Sequence, residues 1–182
     1  MPIHIASRRL TKRMRSVLYP GALFLDVTSR GNTPWKRFSP FYPHGGIPVP
    51  FSPGVYSASV EGIWQGLKVF ERSGVAPETF ANTTMRGIKR TARANGLILG
   101  HRRGVHGTSL LSYIDARRLI YLPSYTWVLR NRLQTEIDAL RLIAANGEIV
   151  LLDFDLNEDP HDLTRPLSHA SLIRRWLEDA SL

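Results

Sequence analysis

Within the run VEGIWQGLKVF, Glu61, Gln65 and Lys68 recur four and three residues apart. On a helix that spacing sets a carboxylate, an amide and an amine along one side. The chemistry that suits this set is cleavage at a sugar carbon. A carboxylate beside an anomeric centre stabilises an oxocarbenium-like transition state or activates a water. An amide carries both donor and acceptor and can orient ribose hydroxyls. An amine binds phosphate or attacks a carbonyl. The preceding stretch FSPFYPHGGIPVPFSPGVY, residues 38–56, adds rings that can stack on a base. The competing reading is a solvated polar face of a surface helix. Gly62 and Gly66 weigh against it, since each costs about 1 kcal/mol relative to Ala in a helix. Two such costs four residues apart point to a close approach by another backbone or a ligand.

The elements that must position these groups follow from periodicity and turn chemistry. Ser57 or Ser59 caps a predicted helix over 60–72, with Gly74 just past its end. Val60, Ile63, Leu67 and Phe70 form its apolar side. Residues 23–28 (LFLDVT) and 148–155 (EIVLLDFD) read as buried strands. Between them lie a long Pro- and Gly-rich stretch, 34–54, and a second helix opening at Pro77. A third helix, begun by Thr83 or Thr84, carries IKRTARA to Asn95 and stops at Gly96. Residues 97–108 (LILGHRRGVHGT) read as a loop rich in Gly, His and Arg. The segment 110–133 reads as two helices broken near Pro123, because proline cannot continue a helix interior. Residues 135–145 read as helical, and an amphipathic helix over 166–179 closes the chain. Helices outnumber strands without alternating with them. The expected fold is therefore α+β, a predominantly helical single domain (1–182) with a small sheet.

Charge narrows the ligand class. The chain of 182 residues carries a formal charge of +9 with a pI near 10.5. Between residues 1 and 37 the only acid is Asp26, and between 86 and 118 the only acid is Asp115. Residues 148–162 carry six acids and no lysine or arginine. This polarity suits a polyanionic partner such as a nucleotide or nucleic acid. Residues 1–16 form a candidate basic arm. The absence of cysteine excludes disulfides and thiol chemistry. No apolar run approaches bilayer length, and the N-terminus lacks a secretory pattern, so a cytoplasmic protein without a membrane partner is expected.

The block Phe38-Ser39-Pro40-Phe41-Tyr42-Pro43, followed by Tyr56 and then by Ser59-x-Glu61-x3-Gln65-x2-Lys68, resembles the signature of the NADAR domain. That family includes N-glycosidases acting on riboflavin-biosynthesis intermediates. Fainter similarity continues through Gly100-His101-Arg102, Ile114 to Leu129 and Ile149 to Asp159. Pro40 stands where the family has Asn, and the family's Trp-Gly after its late acid is replaced by Pro166-Leu167-Ser168-His169. Its Lys-Phe at the end of the long helix is replaced by Trp127-Val128-Leu129-Arg130.

The resemblance implies a NADAR-like fold and cleavage of an N-glycosidic bond in a phosphoribosyl or ADP-ribosyl compound, without metal or redox cofactor. Glu61 would be the key carboxylate, and Asp153 with Glu158 or Asp159 the late acidic pair. Gln65 and Lys68 would hold the ribose or its phosphate, and Ser39, Phe41 and Trp64 would line the pocket. His101, Arg102 and Arg103 suit a phosphate cradle in a Gly-flanked turn. His169 could reach a substrate from the start of the last helix, which Ser168 would cap. The six histidines show no metal-ligand spacing, and no dinucleotide or P-loop pattern is present. The rival expectation is a non-catalytic nucleotide- or nucleic-acid-binding protein that uses the basic surface.

Overall fold

A strand buried on both faces must be apolar at every position, and Ile149-Val-Leu-Leu is apolar throughout. In the computed structural model, which describes residues 3–179, this run is the centre of a three-stranded sheet. Strand β8 (Ile149–Asp153) pairs in parallel with β1 (Ile3–Ser7) on one side and β2 (Leu23–Asp26) on the other. Ala6, Val150 and Leu152 pack on one face, covered by Leu10, Tyr19, Ala22 and Phe24.

Of the expected basic arm, residues 3–7 are therefore strand β1, and Thr11 caps a short helix α1 (Lys12–Leu18); Met1 and Pro2 lie outside the described residues. Two of the arm's five Arg and Lys side chains are engaged internally. Arg8 pairs with Asp26 at 2.6 Å, and Arg15 donates to the carbonyls of Leu10 and Arg8.

The fold is α+β with small sheets, and the chain divides into two compact units. The first joins residues 1–39 to 129–182, and the second is 40–128. The first contains the parallel sheet, helix α6 (Gln134–Asn146) and helix α7 (His169–Asp179). Helix α6 buries Ile137, Leu140 and Ala144 at helical spacing. Helix α7 buries Leu172, Ile173, Trp176 and Leu177 and packs on β1 and β8.

The second unit begins with a hairpin of β3 (Ile47–Pro48) and β4 (Tyr56–Ser57). Helix α2 (Val60–Gly66) follows, then strand β5 (Lys68–Phe70). The expected helix over 60–72 thus ends six residues early. Leu67 closes α2, and the β-formers Val69 and Phe70 are drawn into an antiparallel sheet with β6 (Ile98–Arg102) and β7 (Leu110–Leu111). The expected loop 97–108 is accordingly part strand. The helix expected to run to Asn95 shrinks to α3 (Ala92–Asn95), and Pro77–Ala81 is a 3-10 turn.

Pro123 does not break its helix. Helix α4 (Tyr113–Ala116) widens into a π-helical turn at Arg117–Tyr121 and continues as α5 (Leu122–Arg132). Leu122 N–H bonds to the Arg117 carbonyl, and the wider turn just ahead of the proline relieves its clash with the preceding carbonyls.

The two glycines of α2 have an explanation. A Cβ on Gly62 would lie 2.8 Å from the Thr79 carbonyl oxygen, and one on Gly66 would lie 2.2 Å from the Phe80 ring. The close neighbour is the 3-10 turn, through its backbone at Gly62 and through the Thr79 and Phe80 side chains at Gly66. Gly66→Ala is expected to lower stability by about 1–3 kcal/mol, because overpacking outweighs the better helix propensity of Ala. The midpoint of urea unfolding measures this.

Candidate functional site

Helix α2 is capped by Ser59, whose hydroxyl accepts the Gly62 N–H at 3.0 Å. Glu61 N–H reaches the Pro40 carbonyl at 2.9 Å, which ties the aromatic block to the first turn. All seven residues of α2 are buried, so the polar side of the helix is not a solvated face. Glu61 is 8% exposed, Gln65 4% and Lys68 7%.

These three groups form one chain of hydrogen bonds across the end of α2 and the start of β5. Gln65 Nε2 donates to Glu61 Oε1 at 2.8 Å. Lys68 Nζ donates to Gln65 Oε1 at 3.3 Å, and the Arg90 backbone N–H donates to the same oxygen at 3.1 Å. Burial pushes the Glu61 carboxyl above its usual range, although the Gln65 hydrogen bond and the charges of Lys89 and Lys68 oppose it. Burial likewise pushes the Lys68 amine down; Glu61 opposes the shift, and Lys89 and Arg90 add to it. A carboxyl moved toward neutrality and an amine moved the same way are the states that proton transfer requires.

An aromatic wall adjoins this row. The Trp64 ring lies 3.8 Å from that of His101 and meets Tyr113 and Tyr121 edge-on at 5.5 and 5.7 Å. Lys68 Nζ lies 5.8 Å from the Trp64 centroid. His101 projects from β6, wholly buried, rather than from an exposed phosphate-binding turn. Burial first, then the Lys68 charge, lower its pKa to about 3, against a small opposing pull from the Trp64 carbonyl. A neutral imidazole offers hydrogen bonds but no charge for a phosphate. Because the folded state resists protonating His101, its contribution to stability is complete above the unfolded value near 6.5 and is lost as pH falls toward about 3. His101→Phe, which keeps a ring and removes the titration, is expected to flatten that part of the acid limb of the melting profile.

The remaining expected site residues fall into two sets. In the second unit, Phe41 lies under Lys89, whose Nζ is 5.5 Å from its ring centroid. Arg102 donates to the Gly107 carbonyl at 2.9 Å and closes its own loop, while Arg103 sits over Phe51. In the first unit, Ser39 is buried and ends the 3-10 turn Trp35–Phe38.

Asp153, also in the first unit, is fully engaged. Its Oδ1 accepts Phe154 N–H, and its Oδ2 accepts from Ser168, Ala170 N–H and His169 Nδ1. His169 donates its other nitrogen to the Val27 carbonyl at 2.9 Å, so both ring nitrogens carry protons. Burial disfavours charge on both partners, but their mutual attraction and these hydrogen bonds prevail. They hold the Asp153 carboxyl below its usual range and the His169 imidazole above its own. Asp159 shapes an exposed turn, accepting His161 N–H at 2.8 Å, and Glu158 pairs with Arg174. Glu61, Trp64, Gln65, Lys68 and His101 are thus brought together within the second unit; Asp153 and His169 pair with one another within the first.

Sequence reasoning missed Lys89 and Arg90. Their signal was the basic run IKRTARA, which read as a helix surface and is instead an irregular strap anchored by buried Ile88. Among the described residues no helix is long and apolar enough to cross a membrane. In comparisons with known proteins, a family model described as "Family of unknown function (DUF6939)" matches residues 7–173. No curated protein matches the chain.

Proposed function

As a chain that belongs to the DUF6939 family, whose description leaves its chemistry open, this protein is one for which we propose N-glycosidase activity on a phosphoribosyl or ADP-ribosyl compound. The observation that carries this reading is the buried Glu61 carboxyl, raised in pKa and held by Gln65 beside a depressed lysine and a tryptophan. In the proposed reaction the C1–N bond breaks, its electron pair leaves with the base, and Glu61 stabilises positive charge at C1. Water then adds to C1 and gives one proton to Glu61, which hands it on to the departing base, so that one water is consumed and Glu61 returns to its starting state. The raised carboxyl pKa makes Glu61 a better proton acceptor at neutral pH.

Lys89, with Lys68, takes the phosphate role that the sequence pattern suggested for residues 101–103. Trp64, backed by the neutral His101 ring, offers a face for the base. This allocation retains the NADAR-like reading of Glu61, Gln65 and Lys68. It leaves Asp153 and His169 to hold helix α7, so the reading rests on a single carboxylate.

The test is incubation with a panel of ribosyl compounds, with free base and sugar phosphate sought by mass spectrometry. Glu61→Gln serves as the paired control. Release by the wild type and not by the variant supports hydrolysis. Strongly salt-dependent nucleic-acid binding with no base released would favour the binding protein instead.

A further inference from the structure

We propose that Arg90 is a positioning residue for the site: it fixes which way the Gln65 amide faces and thereby keeps a donor pointed at Glu61. This rests on the glycosidase reading for its catalytic consequence, though not for its geometry. The Arg90 guanidinium is a planar fork with four acceptors. Nη1 donates to the carbonyls of Gln65 at 3.1 Å and Lys68 at 2.7 Å. Nη2 donates to Ser73 Oγ at 2.8 Å and to the Gly74 carbonyl at 2.7 Å. The same group lies 4.9 Å over the Phe70 ring. One side chain therefore fastens the strap to the end of α2, to β5 and to the turn beyond it.

That fastening delivers the Arg90 backbone N–H to Gln65 Oε1. With Lys68 Nζ on the same oxygen, Oε1 faces two donors, and Nε2 is left facing Glu61. A flipped amide would set its NH2 against both of those donors and its oxygen against a carboxylate oxygen, losing all three bonds. The sense of the amide is therefore determined. Glu61 Oε1 stays occupied, and Oε2, which makes no hydrogen bond among the described residues, is kept for substrate or water. A lysine at position 90 would keep the charge but could not span four acceptors with one compact ammonium.

The protein contains two glutamines, Gln65 and Gln134, so their side-chain amide signals in a 15N-labelled sample are easily told apart. In Arg90→Lys the Gln65 amide protons should exchange with solvent about tenfold faster than in the wild type, with Gln134 unchanged as the internal control. For a compound the wild type hydrolyses, kcat should fall about tenfold or more with KM held within about twofold. A folded Arg90→Lys with an unaltered Gln65 amide would overturn the proposal. Should that variant not fold, Ser73→Ala, which removes one acceptor of the fork, is read by the same amide signals: faster Gln65 exchange supports the role of Arg90, and unaltered exchange overturns it. If the wild type hydrolyses nothing, the glycosidase reading fails while the exchange measurement still decides the role of Arg90.

Discussion

Asp153→Asn is expected to destabilise the protein by about 3–5 kcal/mol, the usual cost of breaking a buried ion pair by removing one partner. Asp153 sits at the end of the central strand and accepts hydrogen bonds from Ser168 and Ala170 as well as from His169. An asparagine loses the charge that keeps His169 protonated, and its NH2 cannot accept where the carboxylate did. Ser168 also receives the Ser171 N–H at 3.2 Å, so the damage extends into the cap of α7.

The pH dependence is specific. In the wild type the His169 contribution is present below the ordinary imidazole value and is lost as pH rises through its raised folded value. The Asp153 contribution is present above the ordinary carboxylate value and is lost as pH falls through its depressed one. Stability from the pair therefore belongs to the interval between those two limits. Thermal melts across pH should show that plateau in the wild type and lose it in the variant. A variant as stable as the wild type at neutral pH would reject the structural role and make Asp153 a catalytic candidate again.

What the sequence disclosed follows the range of the forces involved. The β8 strand was legible because a strand buried on both faces must be apolar at every position. The spacing of Glu61, Gln65 and Lys68 was legible because one local periodicity sets it. The end of α2 was not, since β5 exists only through pairing with a strand some thirty residues away. The helical spacing of Val60, Ile63, Leu67 and Phe70 favoured continuing the helix, and strand pairing of the β-formers Val69 and Phe70 overrode it. For the same reason His101 read as a surface histidine among arginines: its burial depends on Trp64 and Tyr113, which lie on other elements. Arg90 shows the limit most plainly. A basic residue in a basic run carries no sequence mark of four acceptors drawn from two elements and a turn.

Glu61→Gln is expected to reduce base release by about a thousandfold while making the folded protein more stable near neutral pH. The two halves have one cause. A carboxyl buried to 8% exposure is held above its usual pKa, so ionising it at neutral pH costs folding free energy. With a raised folded value, its favourable contribution is complete below the unfolded value of about 4.3 and is lost as pH rises through the folded one. The amide never ionises, and its oxygen can still accept from Gln65 Nε2, so the variant should melt higher than the wild type at pH 8. The difference should close as pH falls toward about 4. A purely structural carboxylate would behave in the opposite way, as is expected of Asp153, since its removal would weaken the fold. Melting curves at two pH values and the ribosyl panel therefore probe one proposition by independent routes. Unchanged turnover would reject catalysis by Glu61. A variant less stable than the wild type at pH 8 would mean that the fold relies on this charge, with no strain left to attribute to function.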